Sequence, residues 1–305
     1  MALTGKILVI RFSSIGDIVL TTSFINTLKK TFPNFEIHYL TLDKFSSILE
    51  FHPEIDRVIE LNNKSSLKDL LEFNKFIKSS NYNRIFDLHG SIRSRIITKG
   101  IGQSISRVKK PRFLRFILFQ FHINMFPLNF SATHMYHNCI EGNESTEFPN
   151  TYLSVSDLEQ NNAVSFLKKN NVEGRFIAIV PGAAWPQKQW GVAKYSKAIT
   201  KIISRSNKSI VLLGGKKDKI NNEIEKINNQ VVNLTGKTDL RQAISILSLS
   251  DTVLGSDTGL VHIAEALGKS VNMILGPTAK ETGGGVSLSS SKNIETDLWC
   301  RPCSQ

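Results

Sequence analysis

Ser256-Asp257-Thr258-Gly259-Leu260-Val261-His262 brings together residue types that can hold an anion. The segment lies between an apolar run, Thr252-Val253-Leu254-Gly255, and a stretch in which Leu260, Val261, Ala264 and Leu267 recur at helical spacing. A strand that passes into a helix through a short loop of small and hydroxylated residues leaves backbone N–H groups unsatisfied at the helix N-terminus. The helix dipole adds positive potential there, so the site suits a phosphate or diphosphate. Asp257 fits an N-cap equally well, and a carboxylate beside a diphosphate is favourable only if it binds something else, such as ligand hydroxyls. His262, one turn further, also fits an ordinary half-buried histidine.

Two other segments carry comparable chemistry. Val180-Pro181-Gly182-Ala183-Ala184-Trp185-Pro186-Gln187-Lys188-Gln189-Trp190 leaves an apolar run and enters a helical pattern around 192–203. Gly182 and Ala183 are small enough for a phosphate to approach backbone N–H groups, and Lys188 supplies a positive charge; a turn-rich connector with a solvated lysine is the plainer alternative. Near the N-terminus, Arg11-Phe12-Ser13-Ser14-Ile15-Gly16-Asp17 follows the first apolar run. Only one glycine is present, so this is not the G-x-G-x-x-G dinucleotide fingerprint, and a nicotinamide-dependent dehydrogenase is disfavoured. Ser14 and Asp17 have the spacing of a capping box. On spacing alone the cap is the plainer reading; the functional alternative is Asp17 at a cleft as a carboxylate general base, with Gly16 allowing close approach.

The elements that must position these loops alternate between short β-rich runs and helical stretches, the pattern of α/β layers around parallel sheets. The first half is expected to form strands at 6–12, 36–40, 57–60, 84–88 and 104–108. The second half is expected to form them at 176–180, 209–213, 231–234, 252–255 and 271–275. Each set reads as one doubly wound unit, with Glu141–Val155 as the linker candidate and domains at 1–150 and 151–305. In such units ligands sit beyond the C-terminal ends of the strands, which is where all three loops fall.

With 305 residues the chain has room for two domains of about 150 residues each. Lys and Arg number 38 against 26 Asp and Glu, a net charge of +12, which favours anionic partners: nucleic acid, anionic lipid or a phosphorylated substrate. The N-terminus lacks a signal-peptide pattern, and no apolar run of about 18 residues stands out as a spanning helix. Three cysteines, Cys139, Cys300 and Cys303, fit a reducing compartment. A cytoplasmic protein is expected.

Phe12-Ser13-Ser14-Ile15-Gly16-Asp17, Asp87-Leu88-His89-Gly90 with Arg93-Ser94-Arg95, Pro181-Gly182 with Lys188-Gln189-Trp190, and Ser256-Asp257-Thr258-Gly259 with His262 resemble glycosyltransferase family 9, the ADP-heptose:lipopolysaccharide heptosyltransferases and their relatives. The resemblance runs in order from Lys6 to the end of the chain. It implies a GT-B fold, two Rossmann-like domains facing a central cleft, with the acceptor side in the first half and the nucleotide-sugar side in the second. Asp17 then matches the catalytic base. Gly182, Ala183, Lys188, Asp257, Thr258, Gly259 and His262 match the donor side, and Ser13, Ser14, Gly16, His89 and Arg93 are acceptor-side candidates. The activity implied is inverting transfer of heptose from ADP-heptose to a sugar hydroxyl of the lipopolysaccharide inner core. No metal site and no cofactor are expected.

The partners implied are a nucleotide sugar and a lipid-anchored, phosphorylated oligosaccharide, with no nucleic acid. Lys109-Lys110-Pro111-Arg112 followed by the aromatic-rich 113–121 fits peripheral contact with an anionic membrane surface and, equally, a buried helix. The sequence does not fix the adenine contacts; residues 233–238, after the third strand of the second half, are a candidate segment for them. The resemblance implies a further Cys-containing segment and a closing helix after the Cys300-x-x-Cys303 pair, and that helix is expected to be missing. Two alternatives remain: a relative using another nucleotide sugar or a surface-polysaccharide acceptor, and a nucleotide- or nucleic-acid-binding protein without catalysis.

Overall fold

The computed structural model describes residues 4–102, 104–127, 130–142, 147–277, 280–296 and 301–303. The chain divides into two units, Met1–Pro111 with Phe130–Ser154, and Arg112–Asn129 with Val155–Gln305. The boundary expected at 150/151 lies four residues before the one at 154/155, and the 112–129 segment groups with the second unit.

In the first unit β1 (Gly5–Ile10), β2 (Phe35–Leu42), β3 (Arg57–Leu61), β4 (Arg84–Asp87) and β5 (Ser104–Arg107) form one parallel sheet in the order β3-β2-β1-β4-β5. Ile7 to Ile10 are all fully buried. A central strand covered on both faces needs such a continuous apolar run and not an alternating one. Strand order reverses direction between β1 and β4, so the loops after these two strands flank the crevice where doubly wound sheets bind ligands. Helices α1 (Ile15–Thr31), α2 (Leu67–Ser79) and α3 (Ile92–Ile97) follow β1, β3 and β4.

The chain continues through α4 (Arg112–Phe121) and α5 (Ala132–His137). Helix α5 lies against α1: His137 Nε2 meets the Thr27 hydroxyl at 2.9 Å, and its ring is edge-on to Phe24. The stretch expected as a linker is fastened down over its described C-terminal part. The Ser23 hydroxyl donates to the Pro149 carbonyl, and Tyr152 N–H donates to the Thr22 hydroxyl at 2.9 Å. Residues 143–146 of that stretch lie outside the described residues.

In the second unit α6 (Asp157–Lys169) leads into β6 (Phe176–Val180), α7 (Val192–Ile203), β7 (Ser209–Leu212), α8 (Ile220–Ile227), β8 (Val232–Asn233), α9 (Leu240–Leu249), β9 (Thr252–Ser256), α10 (Gly259–Ala266), β10 (Ser270–Ile274) and β11 (Lys292–Ile294). The parallel sheet has the order β11-β10-β9-β6-β7-β8. Its reversal falls between β6 and β9, the strands that precede the Pro181–Trp190 and Ser256–His262 segments. Gly255 permits the close approach there, since a Cβ on it would lie 2.9 Å from the Val180 carbonyl oxygen and 2.6 Å from Val261 Cγ2. The edge strand β11 is exposed along its length and carries no apolar run, so its sequence offered no strand signal.

Candidate functional site

In the first unit the site is built around Asp17, at the third position of α1. Its Oδ2 accepts from the Ser14 backbone N–H (3.1 Å) and hydroxyl (2.8 Å) and pairs with Arg11 Nη2 at 2.6 Å; its Oδ1 accepts from the Tyr136 hydroxyl at 3.0 Å. The reach back to Ser14 is the expected capping contact. The Tyr136 contact is long-range, and the Arg11 contact comes from the same loop. Burial alone would raise the Asp17 carboxyl's pKa, but the Arg11 charge and the Ser14 and Tyr136 hydrogen bonds outweigh it and hold it below the usual carboxylate range.

Arg11 is the hub of this network. Almost fully buried, it also donates Nη1 to the Leu88 carbonyl (2.8 Å) and Nε to the Ser13 carbonyl (2.7 Å), and its guanidinium lies 5.6 Å from the centre of the Tyr136 ring. One side chain thus ties the loop after β1 to the loop after β4. Phe12 and His89 pack ring against ring across the same junction, 4.9 Å between centres. Burial, with Arg11 and Lys110 nearby, pushes His89 down to about 4, and its Nδ1 is buried without a hydrogen-bond partner. Asp87 shapes that loop: fully buried, it accepts the His89 and Gly90 N–H groups and the Ser94 hydroxyl. Ser13, Ser14, Gly16 and His89 therefore gather with Asp17, whereas Arg93, exposed on α3, donates to the Asn63 carbonyl at 3.3 Å.

In the second unit Lys188 Nζ and Asp257 Oδ2 are 2.8 Å apart, joining the loops after β6 and β9. His262 Nε2 stands 3.9 Å from Asp257 Oδ1, within Coulombic reach but beyond a hydrogen bond. Burial would raise the Asp257 carboxyl, yet His262 and Lys188 hold it far below the ordinary range. Asp257 is not the helix cap: Thr258 occupies the N-cap position of α10, with Gly259 first in the helix. The N–H groups of Gly259 and Leu260 have no intrahelical acceptor at that position. Beneath them the fully buried Ser256 hydroxyl donates to the Pro181 carbonyl (3.0 Å) and meets the Tyr195 hydroxyl at 2.9 Å, fixing the two loops to each other. A groove of 420 Å³ runs past Lys188, between the 187–190 segment and the ends of β10 and β11.

Gly182 faces a side chain that sequence reasoning missed. A Cβ on Gly182 would lie 2.4 Å from the Asp218 carboxyl group, so glycine is what admits Asp218 at this place. Asp218 Oδ2 accepts the Gly215 N–H at 2.7 Å, and burial raises its pKa against that bond. Arg11 and Tyr136 were missed as well. Arg11 stood in the quoted loop without a role, Asp218 follows Gly214-Gly215 as a readable turn, and Tyr136, 119 residues from Asp17, carried no local signal.

The sequence model of glycosyltransferase family 9 (heptosyltransferase) matches residues 70–305. The chain belongs to glycosyltransferase family 9. It is thus a glycosyltransferase of the heptosyltransferase family. A lipooligosaccharide heptosyltransferase 2 of Haemophilus ducreyi is 27% identical over 296 residues, covering 90% of this chain and 84% of that protein. Asp17 lies before the range matched by the family model. Among solved structures, a family 9 glycosyltransferase from Veillonella parvula superposes with a TM-score of 0.81 at 21% identity, over 97% of this chain and 87% of that one. E. coli ADP-heptose lipopolysaccharide heptosyltransferase II gives 0.74 at 21% identity, over 97% and 92%. The fold is the α/β GT-B fold of these enzymes. Among the described residues of this glycosyltransferase, no helix is long and apolar enough to cross a membrane.

Proposed function

We propose that this enzyme transfers a heptose from ADP-heptose to a sugar hydroxyl of a lipid-anchored, phosphorylated lipopolysaccharide core acceptor, with inversion at the anomeric carbon. The observation that carries the reading is the placement of complementary chemistry at the two strand reversals. A held carboxylate stands at one, and a lysine with the open N-terminus of α10 stands at the other. The names of the relatives support heptose as the sugar.

Asp17 accepts the proton of the acceptor hydroxyl. Its Oδ2 already takes three donors, while Oδ1 takes only the Tyr136 hydroxyl among the hydrogen bonds described, so Oδ1 is the basic atom. The acceptor oxygen forms its bond to the anomeric carbon as the bond from that carbon to the diphosphate oxygen breaks. The electron pair leaves with the ADP. Lys188 and the Gly259 and Leu260 N–H groups meet the charge that builds on the diphosphate, a preorganised electrostatic contribution. Gly182 and Ala183 border the same side, and Asp257, released from Lys188, takes donor hydroxyls with His262 beside it. Ser13, Ser14, Gly16 and His89 line the acceptor side, with Arg93 outside this group. With lysine and helix dipole serving the leaving group, the reaction needs no metal or other cofactor. We place the enzyme in the cytoplasm, at the membrane that carries the acceptor.

The test is transfer from a panel of nucleotide sugars to heptose-deficient core oligosaccharide, read by product mass and ADP release, with and without chelator. ADP-heptose should be used best, and chelator should leave the rate unchanged. Preference for a different nucleotide sugar, or loss of the rate with chelator, contradicts the corresponding part of the reading.

A further inference from the structure

From Leu88 to Ile140 the chain contains no Asp or Glu but eight Lys or Arg: Arg93, Arg95, Lys99, Arg107, Lys109, Lys110, Arg112 and Arg115. These eight amount to two-thirds of the net charge of +12, within about a sixth of the chain. Helix α4 lies inside this run and is apolar on both sides. Leu118 is buried, and Leu114, Ile117 and Phe119 are partly so, which accounts for its packing stripe. At 100° per residue, Phe113 and Phe116 stand opposite Leu118, where a surface helix ordinarily carries polar residues. Both are more than half exposed, as are Phe121, Ile123 and Met125 just beyond. Exposed Arg112 and Arg115 flank them.

We infer that this face of α4, with the segment to Met125, docks the enzyme on an anionic phospholipid bilayer. Rings exposed on one helical face, with the aliphatic side chains that follow the helix, enter the boundary between headgroups and acyl chains, and the flanking guanidinium groups meet the anionic headgroups. Arg112 and Arg115 on α4 itself supply the charge complementarity, and the 112–125 segment contains no carboxylate to repel the surface. A nucleic acid is the rival for basic and aromatic residues, but Ile123 and Met125 offer no flat face for base stacking. The inference deepens the reading of a lipid-anchored acceptor and is tested without turnover.

The experiment is co-sedimentation of the full chain with phosphatidylcholine vesicles, with and without phosphatidylglycerol. Wild type is compared with the Phe113→Ser/Phe116→Ser and Arg112→Gln/Arg115→Gln variants, folding being checked by melting temperature. Each basic residue at such a surface changes partitioning about fivefold. Wild type should therefore favour the anionic vesicles, salt should weaken binding, and each double variant should lose on the order of tenfold or more. A Phe116→Trp variant should shift its emission to the blue on anionic vesicles. Equal binding to neutral and anionic vesicles, unchanged binding by the phenylalanine variant, or displacement of vesicles by single-stranded oligonucleotides would overturn the inference. Partitioning does not depend on catalysis, so a failure here leaves heptosyl transfer standing, and failed transfer leaves the docking surface standing.

Discussion

Removing the Lys188 ammonium should destabilise the second unit far more than a surface lysine would, and removing Asp257 along with it should restore much of the loss. The two groups are 2.8 Å apart, with side chains only 18% and 14% exposed. At an effective dielectric constant of about 20, the Coulomb energy at that separation is 332/(20 × 2.8), about 6 kcal/mol, before the desolvation of both ions is subtracted. Breaking a buried pair by deleting one partner costs about 3–5 kcal/mol. Partial exposure and the His262 imidazole 3.9 Å away place Lys188→Met near the lower end of that range, about 3 kcal/mol. Lys188→Met/Asp257→Asn removes both charges and should cost less than the sum of the single variants by about 2 kcal/mol. All three tryptophans, Trp185, Trp190 and Trp299, lie in the second half of the chain, so tryptophan emission in a urea titration reports that unit. ADP should also bind Lys188→Met more weakly. Single variants that each cost under about 0.5 kcal/mol and add independently would refute the pairing argument.

Further outcomes follow from the titrating groups. Asp17 must be ionised to accept a proton, and Tyr136 donates to its charged form. Tyr136→Phe should therefore move the acid limb of kcat to higher pH and lower kcat with little change in donor affinity; an unmoved limb sinks the positioning role. Because the folded Asp17 pKa is depressed, the stability it contributes is present above the unfolded carboxylate pKa and is lost as pH falls through the folded value. His52 behaves differently. Buried, with Nε2 unpartnered, it is pushed down to about 4 from 6.5. Between those values the unfolded chain binds the extra proton, so stability should fall as pH drops from 6.5 toward 4, by about 3 kcal/mol from this group alone. His52→Gln should flatten that slope in urea midpoints measured across the interval, and an unchanged slope would count against it.

The legible parts of the fold were those written in contiguous residues. Strand β6 matches its expected span, and β1, β4 and β10 lie within a residue or two of theirs, because buried parallel strands must be unbroken apolar runs. Strand β11 was not legible: Lys292-Asn293-Ile294 is an exposed edge held by its pairing with β10. In the site, Lys188 and the start of α10 could be read as strand-to-helix loops. Asp257 was ambiguous between cap and ligand, and the structure gives the cap to Thr258 and pairs Asp257 with Lys188. The fit of Asp218 against Gly182 and the reach of Tyr136 to Asp17 join residues far apart in sequence. Parallel topology brings loops of different strands to one end of a sheet, and no local pattern encodes which side chains then meet. Cys300 lies outside the described residues, while Cys139 is a buried thiol that burial pushes up to about 12.

The most direct measurement is transfer of heptose from ADP-heptose to heptose-deficient core oligosaccharide by wild type and Asp17→Asn, with ADP-heptose affinity determined in parallel. A product heavier by one heptose with inverted anomeric configuration is expected. Asp17→Asn should lose about 10²–10⁴-fold in turnover at nearly unchanged donor affinity. Retained turnover in Asp17→Asn, or a product of retained configuration, would contradict this reading.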